Sequence, residues 1–210
     1  MKKGIFGTLL LCAMMTTACG DLFCEQIEAK TVLIETEIGN FYIDAYEASR
    51  SNAYADTEGN GVTMACNYQA TLPWDDVTFE DARNACLDAG KRLCTKDEWL
   101  AACGSAKYPY GATYKDTACN DDTNAPMTTG SKTECVTPSG VYDMTGNLQE
   151  WVEEGYLMGG SYSSGGRDNA ACQTAQEVPD KLTYTNTKSV GFRCCSDTSL
   201  LNSGNLFPEL

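Results

Sequence analysis

Twelve cysteines and no histidine in 210 residues set the terms on which this chain folds. No two of the cysteines form a Cys-x-x-Cys pair, so the ligand spacings of a structural zinc site are absent and the cysteines read as disulfide partners. Without histidine, Ser-His and Cys-His nucleophiles and every histidine general base are excluded. Disulfides persist in oxidising compartments, so the chain is expected to be exported.

The N-terminus agrees. Lys2 and Lys3, the apolar run Ile5 to Met15 and the small residues Thr16-Thr17-Ala18 read as an export signal, too short to span a bilayer. Small residues ahead of Cys19 resemble the bacterial lipobox, with Thr16 where leucine is usual. That resemblance implies cleavage after Ala18, acylation of Cys19 and a membrane-anchored lipoprotein facing the periplasm or the cell surface; the alternative is plain secretion. Removing residues 1–18 takes away Lys2, Lys3 and no acid, which moves the formal charge from −14 to −16. Nucleic acid is therefore not an expected partner, and any membrane attachment should run through the acyl chain alone, because such a surface is repelled by anionic lipid. With Cys12 in the signal and Cys19 as anchor, ten cysteines remain, an even number.

Thr31 to Tyr46 alternates apolar and β-branched residues and predicts a hairpin turning about Gly39-Asn40. Residues 49–72 read as a loop. Thr78-Phe79-Glu80-Asp81 and Thr95-Lys96-Asp97-Glu98 place a capping hydroxyl three residues ahead of an acid, and predict two helices ending at Gly90 and Gly104. Residues 108–137 hold too few aliphatics to bury much surface. Short strands are predicted at Val141-Tyr142, Leu148 to Val152, Leu157-Met158 and Val190 to Cys195, giving an α+β domain followed by a polar tail.

Gly90-Lys-Arg-Leu-Cys-Thr-Lys-Asp-Glu-Trp99, Tyr108-Pro-Tyr-Gly111, Gly140-Val-Tyr-Asp-Met-Thr-Gly-Asn-Leu-Gln-Glu-Trp151, Gly159-Gly-Ser-Tyr162 and Gly191-Phe-Arg-Cys194 together resemble the formylglycine-generating enzyme, or sulfatase-modifying factor, family. Phe41-Tyr-Ile-Asp-Ala-Tyr-Glu47 is similar to its opening strand. The resemblance implies a C-type-lectin-like fold of low regular secondary structure. It divides the chain into a signal (1–18), a lead-in (19–39), the domain (40–196) and a tail (197–210). It also implies the bridges Cys86–Cys194 and Cys103–Cys172; Cys94–Cys195, Cys119–Cys135 and Cys24–Cys66 complete a set.

Family enzymes hold copper(I) with two thiols just after Gly-Gly-Ser-Tyr. Here those positions fall near Ser164 and Asn169, whose hard oxygens do not suit copper(I), so copper is not expected and the oxidase reading is disfavoured. Asp143, Gly146, Leu148 and Glu150 match a family calcium site of two carboxylates and two carbonyls, and a second calcium position falls near Asn120 and Asp121. Trp99 and Trp151, which sit within the family motifs, are expected in the core, the alternative being a ligand platform of Trp74, Trp99 and Trp151. The function that follows is a non-catalytic, lectin-like binding module whose surface includes Ser161, Tyr162, Ser163, Ser164, Arg167 and Asn169, with a glycan or protein as its extracytoplasmic ligand. A structural subunit of an envelope complex is the alternative.

Overall fold

A computed structural model describes Cys24, residues 30–37 and residues 39–197. The export signal, the Cys19 anchor and the tail from residue 198 lie outside the described residues.

The domain is α+β. Strand β1 (Thr31–Thr36) pairs antiparallel with β2 (Gly39–Asp44), and the register sets Thr36 against Gly39 and Glu35 against Asn40. The hairpin is where the alternation puts it. Its reversal comes earlier than expected, because Gly39, at φ +133°, opens the second strand instead of forming the turn. Helix α1 (Phe79–Asp88) begins at Thr78, whose hydroxyl accepts the Asp81 N–H, and buries Phe79, Ala82, Ala85 and Cys86. Helix α2 (Lys96–Cys103) carries the full reciprocal cap: Thr95 accepts from the Glu98 N–H and Glu98 accepts from the Thr95 N–H. Gly90 and Gly104 follow the two helices at φ +70° and +96°, conformations that a side chain would strain.

Between the helices lies β3 (Arg92–Leu93), and β4 (Gln149–Trp151), β5 (Tyr156–Met158), β6 (Ala175–Glu177), β7 (Val190–Phe192) and β8 (Cys194–Ser196) follow. They form two four-stranded sheets, β1-β2-β8-β3 and β6-β5-β4-β7, with β4 and β7 parallel. The predicted strand at Val190 to Cys195 divides at Arg193, so that its first half serves one sheet and its second half the other. Val141-Tyr142 forms only an isolated bridge, between Tyr142 and Val136, and β3 and β6 are too short to show a periodicity.

Two core clusters fill the domain, each drawing residues from both sheets. Ile43, Trp99 and Met158 centre the first; Trp151, Phe192 and Leu157 centre the second. All three tryptophans are buried, Trp151 donating its indole N–H to the Val77 carbonyl at 3.0 Å.

Five disulfides cross this frame: Cys24–Cys66, Cys86–Cys194, Cys94–Cys195, Cys103–Cys172 and Cys119–Cys135, the same five pairs set out above. Cys86–Cys194 and Cys94–Cys195 tie α1 and the segment after β3 to adjacent residues of β8. Residues 105–147 contain no helix or strand, so Cys119–Cys135 fixes a stretch that repeated backbone pairing does not.

Candidate functional site

The loop after β5 starts with two glycines in the left-handed region. A Cβ on Gly160 would stand 2.2 Å from the Asn169 carbonyl oxygen, so only glycine lets the two ends of the loop approach. The segment 161–169 then folds on itself. Ser164 Oγ accepts the Ser161 N–H at 2.7 Å, and the Asn169 amide donates to the Ser164 carbonyl at 2.9 Å. Ser164 and Asn169, near which the resemblance leads one to expect the copper thiols, are thus brought together, as a hydroxyl and an amide engaged in the loop's own hydrogen bonds. Every cysteine among the described residues is in a disulfide, Cys172 included.

Ser161, Tyr162, Ser163 and Ser164 form one wall of an open cleft of about 500 Å³. Thr123 and Asn124 come from the long loop, Gln149 from β4, and Asn186, Lys188 and Ser189 from the approach to β7. Backbone hydrogen bonds set the walls: Tyr162 N–H donates to the Asn147 carbonyl at 2.8 Å, and Thr123 N–H to the Tyr162 carbonyl at 2.6 Å. The Tyr162 hydroxyl is pushed above its usual pKa by burial and by the charge of Asp75.

Arg167 and Asn169 do not line this cleft. Arg167 lies over the Tyr114 ring at 5.2 Å, and its carbonyl accepts the Tyr108 hydroxyl at 2.7 Å. Tyr108 stacks on Tyr110 with the ring centres 5.5 Å apart. The expected binding surface is therefore two features, a polar cleft at 161–164 and a tyrosine-braced shoulder at 167.

Behind the cleft wall, around the Gly146-Asn147 turn, buried charges meet. Asp143 and Asn147 both take positive φ, which a short polar side chain tolerates. Arg193, fully buried, donates from Nη2 to Glu150 Oε1 at 2.6 Å and from Nε to Oε2 at 2.7 Å, and Trp99 Nε1 adds a third hydrogen bond to Oε2 at 2.8 Å. Glu47 accepts from the Asn147 amide and from the Leu148 N–H. Asp143 Oδ2 accepts the Gly130 N–H at 2.7 Å. Burial pushes the Asp143 carboxyl up to about 7, with Glu150 adding repulsion against the pull of the Gly130 N–H and Arg193. Glu47 is pushed well above the usual carboxylate range by burial and by Asp143 and Glu150.

Three carboxylates thus face one guanidinium. If all three ionise, two negative charges are unmatched, which is the charge of a divalent cation, and the donors are the hard oxygens that calcium prefers. Glu150 is already shared by Arg193 and Trp99, so Asp143 and the carbonyls of Gly146 and Leu148 would carry most of the contact. Asn120 is a loop organiser: its amide donates to the Ala125 carbonyl and to Asn147 Oδ1, and its oxygen accepts from Thr123. Asp121 Oδ1 accepts from the Tyr114 hydroxyl at 3.3 Å. Sequence reading missed Glu47, which sits in the quoted opening strand, and the cleft residues Gln149, Asn186, Lys188 and Ser189, which no motif marks.

A family model described as Sulfatase-modifying factor enzyme 1-like domain matches residues 14–198. The chain is 29% identical over 155 residues to the Inactive C-alpha-formylglycine-generating enzyme 2 of Bos taurus, covering 60% of this chain and 50% of that protein. It is 36% identical over 94 residues to the Serine/threonine-protein kinase pkn1 of Chlamydia caviae, covering 41% of this chain and 14% of that protein. The chain thus spans half or less of the length of these curated relatives. Among solved structures, the Major Tropism Determinant P3c Variant superposes with a TM-score of 0.53 at 16% identity, over 81% of this chain and 55% of that one. The U1 Variant does so with 0.52 over the same shares. At that identity these neighbours show the C-type-lectin-like fold and nothing more.

Proposed function

This chain belongs to the sulfatase-modifying factor enzyme 1-like domain family, and on that premise we propose that it is a non-catalytic binding module, exported and held at the cell envelope, that uses the fold's loops to recognise an extracytoplasmic ligand. The observation that carries this reading is that all ten cysteines of the described domain are disulfide-bonded, which leaves no free thiol there for copper; Ser164 and Asn169 stand near where the family resemblance would put the two thiols. Copper(I) selects soft thiolates, and a hydroxyl with an amide neither binds it well nor carries its electrons. A fold can outlast its chemistry, and here the site that remains is a polar cleft. The 29%-identical bovine relative is itself named inactive.

Five disulfides support export, because such a set is stable only outside a reducing cytosol. Acylation of Cys19 completes the proposal, and incorporation of a labelled fatty acid that is lost in Cys19→Ser tests it. We assign calcium to Asp143, Gly146, Leu148 and Glu150 as a structural ion. Among the described residues no three His, Cys, Asp or Glu side chains group as a metal-binding set, so backbone carbonyls would supply the remaining contacts.

The binding reading is tested with the processed chain on a panel of glycans and peptidoglycan fragments. It expects saturable binding that Ser164→Trp, which fills the cleft, removes. Copper(I) binding together with aldehyde formation on a sulfatase-motif peptide would overturn it.

A further inference from the structure

We infer that the cleft bounded by Ser161–Ser164 binds a sugar carrying an anionic substituent, with Lys188 as the group that recognises the charge. The inference rests on the proposal that this loop surface binds a ligand, and it names the ligand's class.

The argument begins with charge. The chain carries 29 acids against 15 bases, yet no carboxylate lines the cleft, and the one charged side chain that does is Lys188. Lys188 is exposed and has no ion pair among the described residues, a state it shares with Lys30, Lys96, Lys132, Arg167 and Lys181, and what sets it apart from them is its place in a cleft that no carboxylate lines. Asp75 acts on the Tyr162 hydroxyl from outside the lining, and one of its oxygens is taken up by the Asp76 N–H at 2.7 Å. A cation at the edge of a cleft without acids, on a strongly acidic protein, is a local inversion of sign, and it attracts an anion that the rest of the surface repels.

The other lining groups indicate what bears the anion. They are hydroxyls, from Thr123, Ser161, Tyr162, Ser163, Ser164 and Ser189, and amides, from Asn124, Gln149 and Asn186. A hydroxyl is one donor and two acceptors, and an amide offers both functions side by side. Ser161 and Ser163 share a hydroxyl–hydroxyl hydrogen bond of 3.2 Å, and Ser161 Oγ also accepts the Ser163 N–H at 3.4 Å, which leaves the Ser163 hydroxyl the freer of the two for a ligand. Such a lining complements a ligand that presents alternating donors and acceptors over its surface, as a pyranose does. It offers an apolar peptide side chain little to pack against, Tyr162 being its one aromatic. The walls are fixed by backbone hydrogen bonds and come from four separate segments, so the cleft is formed before the ligand arrives.

The test uses the processed chain and isothermal titration with paired probes: a tetra-uronate and its methyl ester, 3-sulfolactose and lactose, and tetra-glutamate as the peptide control. The expected result is binding of at least one acidic sugar about tenfold tighter than its neutral partner, the scale of a hydrogen bond to a charged group. Lys188→Gln should remove that difference, the acidic sugar and its neutral partner then binding alike. No acidic sugar preferred over its partner, or a preference that survives Lys188→Gln, overturns the inference. Tetra-glutamate binding as tightly as the acidic sugars also overturns it, by making the site a peptide site. Binding of neutral sugars alone, abolished by Ser164→Trp, would sink the anion assignment while leaving the binding reading intact. Silence of every glycan sinks both.

Discussion

Cys86–Cys194 spans 108 residues and Cys94–Cys195 spans 101, and each by itself would be credited with about 4.7 to 4.8 kcal/mol by the chain-entropy model. That credit is not available twice. In the unfolded chain with Cys94–Cys195 intact, Cys86 is already tethered eight residues from Cys94, and Cys194 adjoins Cys195. The second bridge then closes a loop of only about nine residues, worth roughly 2.6 kcal/mol. The same holds with the roles exchanged. When both are gone, Cys103–Cys172 still shortens the path, and the first bridge restored closes about 30 to 40 residues, worth about 3.7 to 3.9 kcal/mol. The Cys86→Ala/Cys194→Ala and Cys94→Ala/Cys195→Ala variants should therefore each lose about 2.6 kcal/mol, and the four-alanine variant about 6, more than twice as much. Urea unfolding of the oxidised proteins, arranged as a double-mutant cycle, removes most of the shared cost of lost sulfur packing. Losses near 5 kcal/mol for each pair, with a four-alanine loss no larger than their sum, would refute the reasoning.

Arg193→Met should cost about 3 to 5 kcal/mol in the same assay, because it leaves the buried Glu150 carboxylate facing Glu47 and Asp143 without its cation. A loss under 1 kcal/mol would show that the carboxylates do not depend on the guanidinium. Chelation with EGTA should lower the melting temperature of the wild-type chain and leave Asp143→Asn unmoved; equal melting curves with and without chelator would remove the calcium assignment. Gly160→Ala forces a side chain to φ +72° and into the Asn169 carbonyl, so a loss of about 1 to 3 kcal/mol and a weakened cleft are expected, read by unfolding and by probe titration. Wild-type stability in that variant would mean that the loop does not need the close approach.

The helices, the hairpin and the pairs Cys86–Cys194 and Cys103–Cys172 were legible because each rests on local chemistry or on a motif that travels intact along the chain; the other three pairs only completed the set, with no motif of their own. Thr78 and Thr95 announce their helices by cap residues three positions apart, and both caps are made. The buried acid cluster was legible only in part. Asp143 and Glu150 lie in one motif, but Glu47 reaches the same turn from about a hundred residues away, and no period or spacing connects them. The cleft was the least legible element. Serines, asparagines and a lysine scattered from 123 to 189 have no pattern in sequence and become neighbours only because β4 lies between β5 and β7. Arg167 looked like part of that surface by proximity in sequence, and its contacts with Tyr108 and Tyr114 set it on a separate shoulder.

On the proposed reading, the same arrangement would let the fold carry a recognition surface where family enzymes carry a reactive one. The loop 161–169 draws its shape from glycine φ angles and internal hydrogen bonds, and it is anchored behind by Cys172 to α2. No side chain in it belongs to either hydrophobic core, and buried Tyr162 is positioned by its backbone hydrogen bonds. If thiols stood at Ser164 and Asn169 in a family enzyme, their exchange would alter this loop's internal hydrogen bonds and leave both hydrophobic cores unchanged. The surrounding walls, held by the Asn147 and Thr123 backbone bonds, persist through such exchanges. Substitutions at Ser163, Asn186 or Lys188 should then alter what is bound while leaving the unfolding midpoint within about 0.5 kcal/mol of wild type, the range of surface changes away from structural features. Larger losses at these positions would mean that the cleft is part of the core's support and not a free recognition surface.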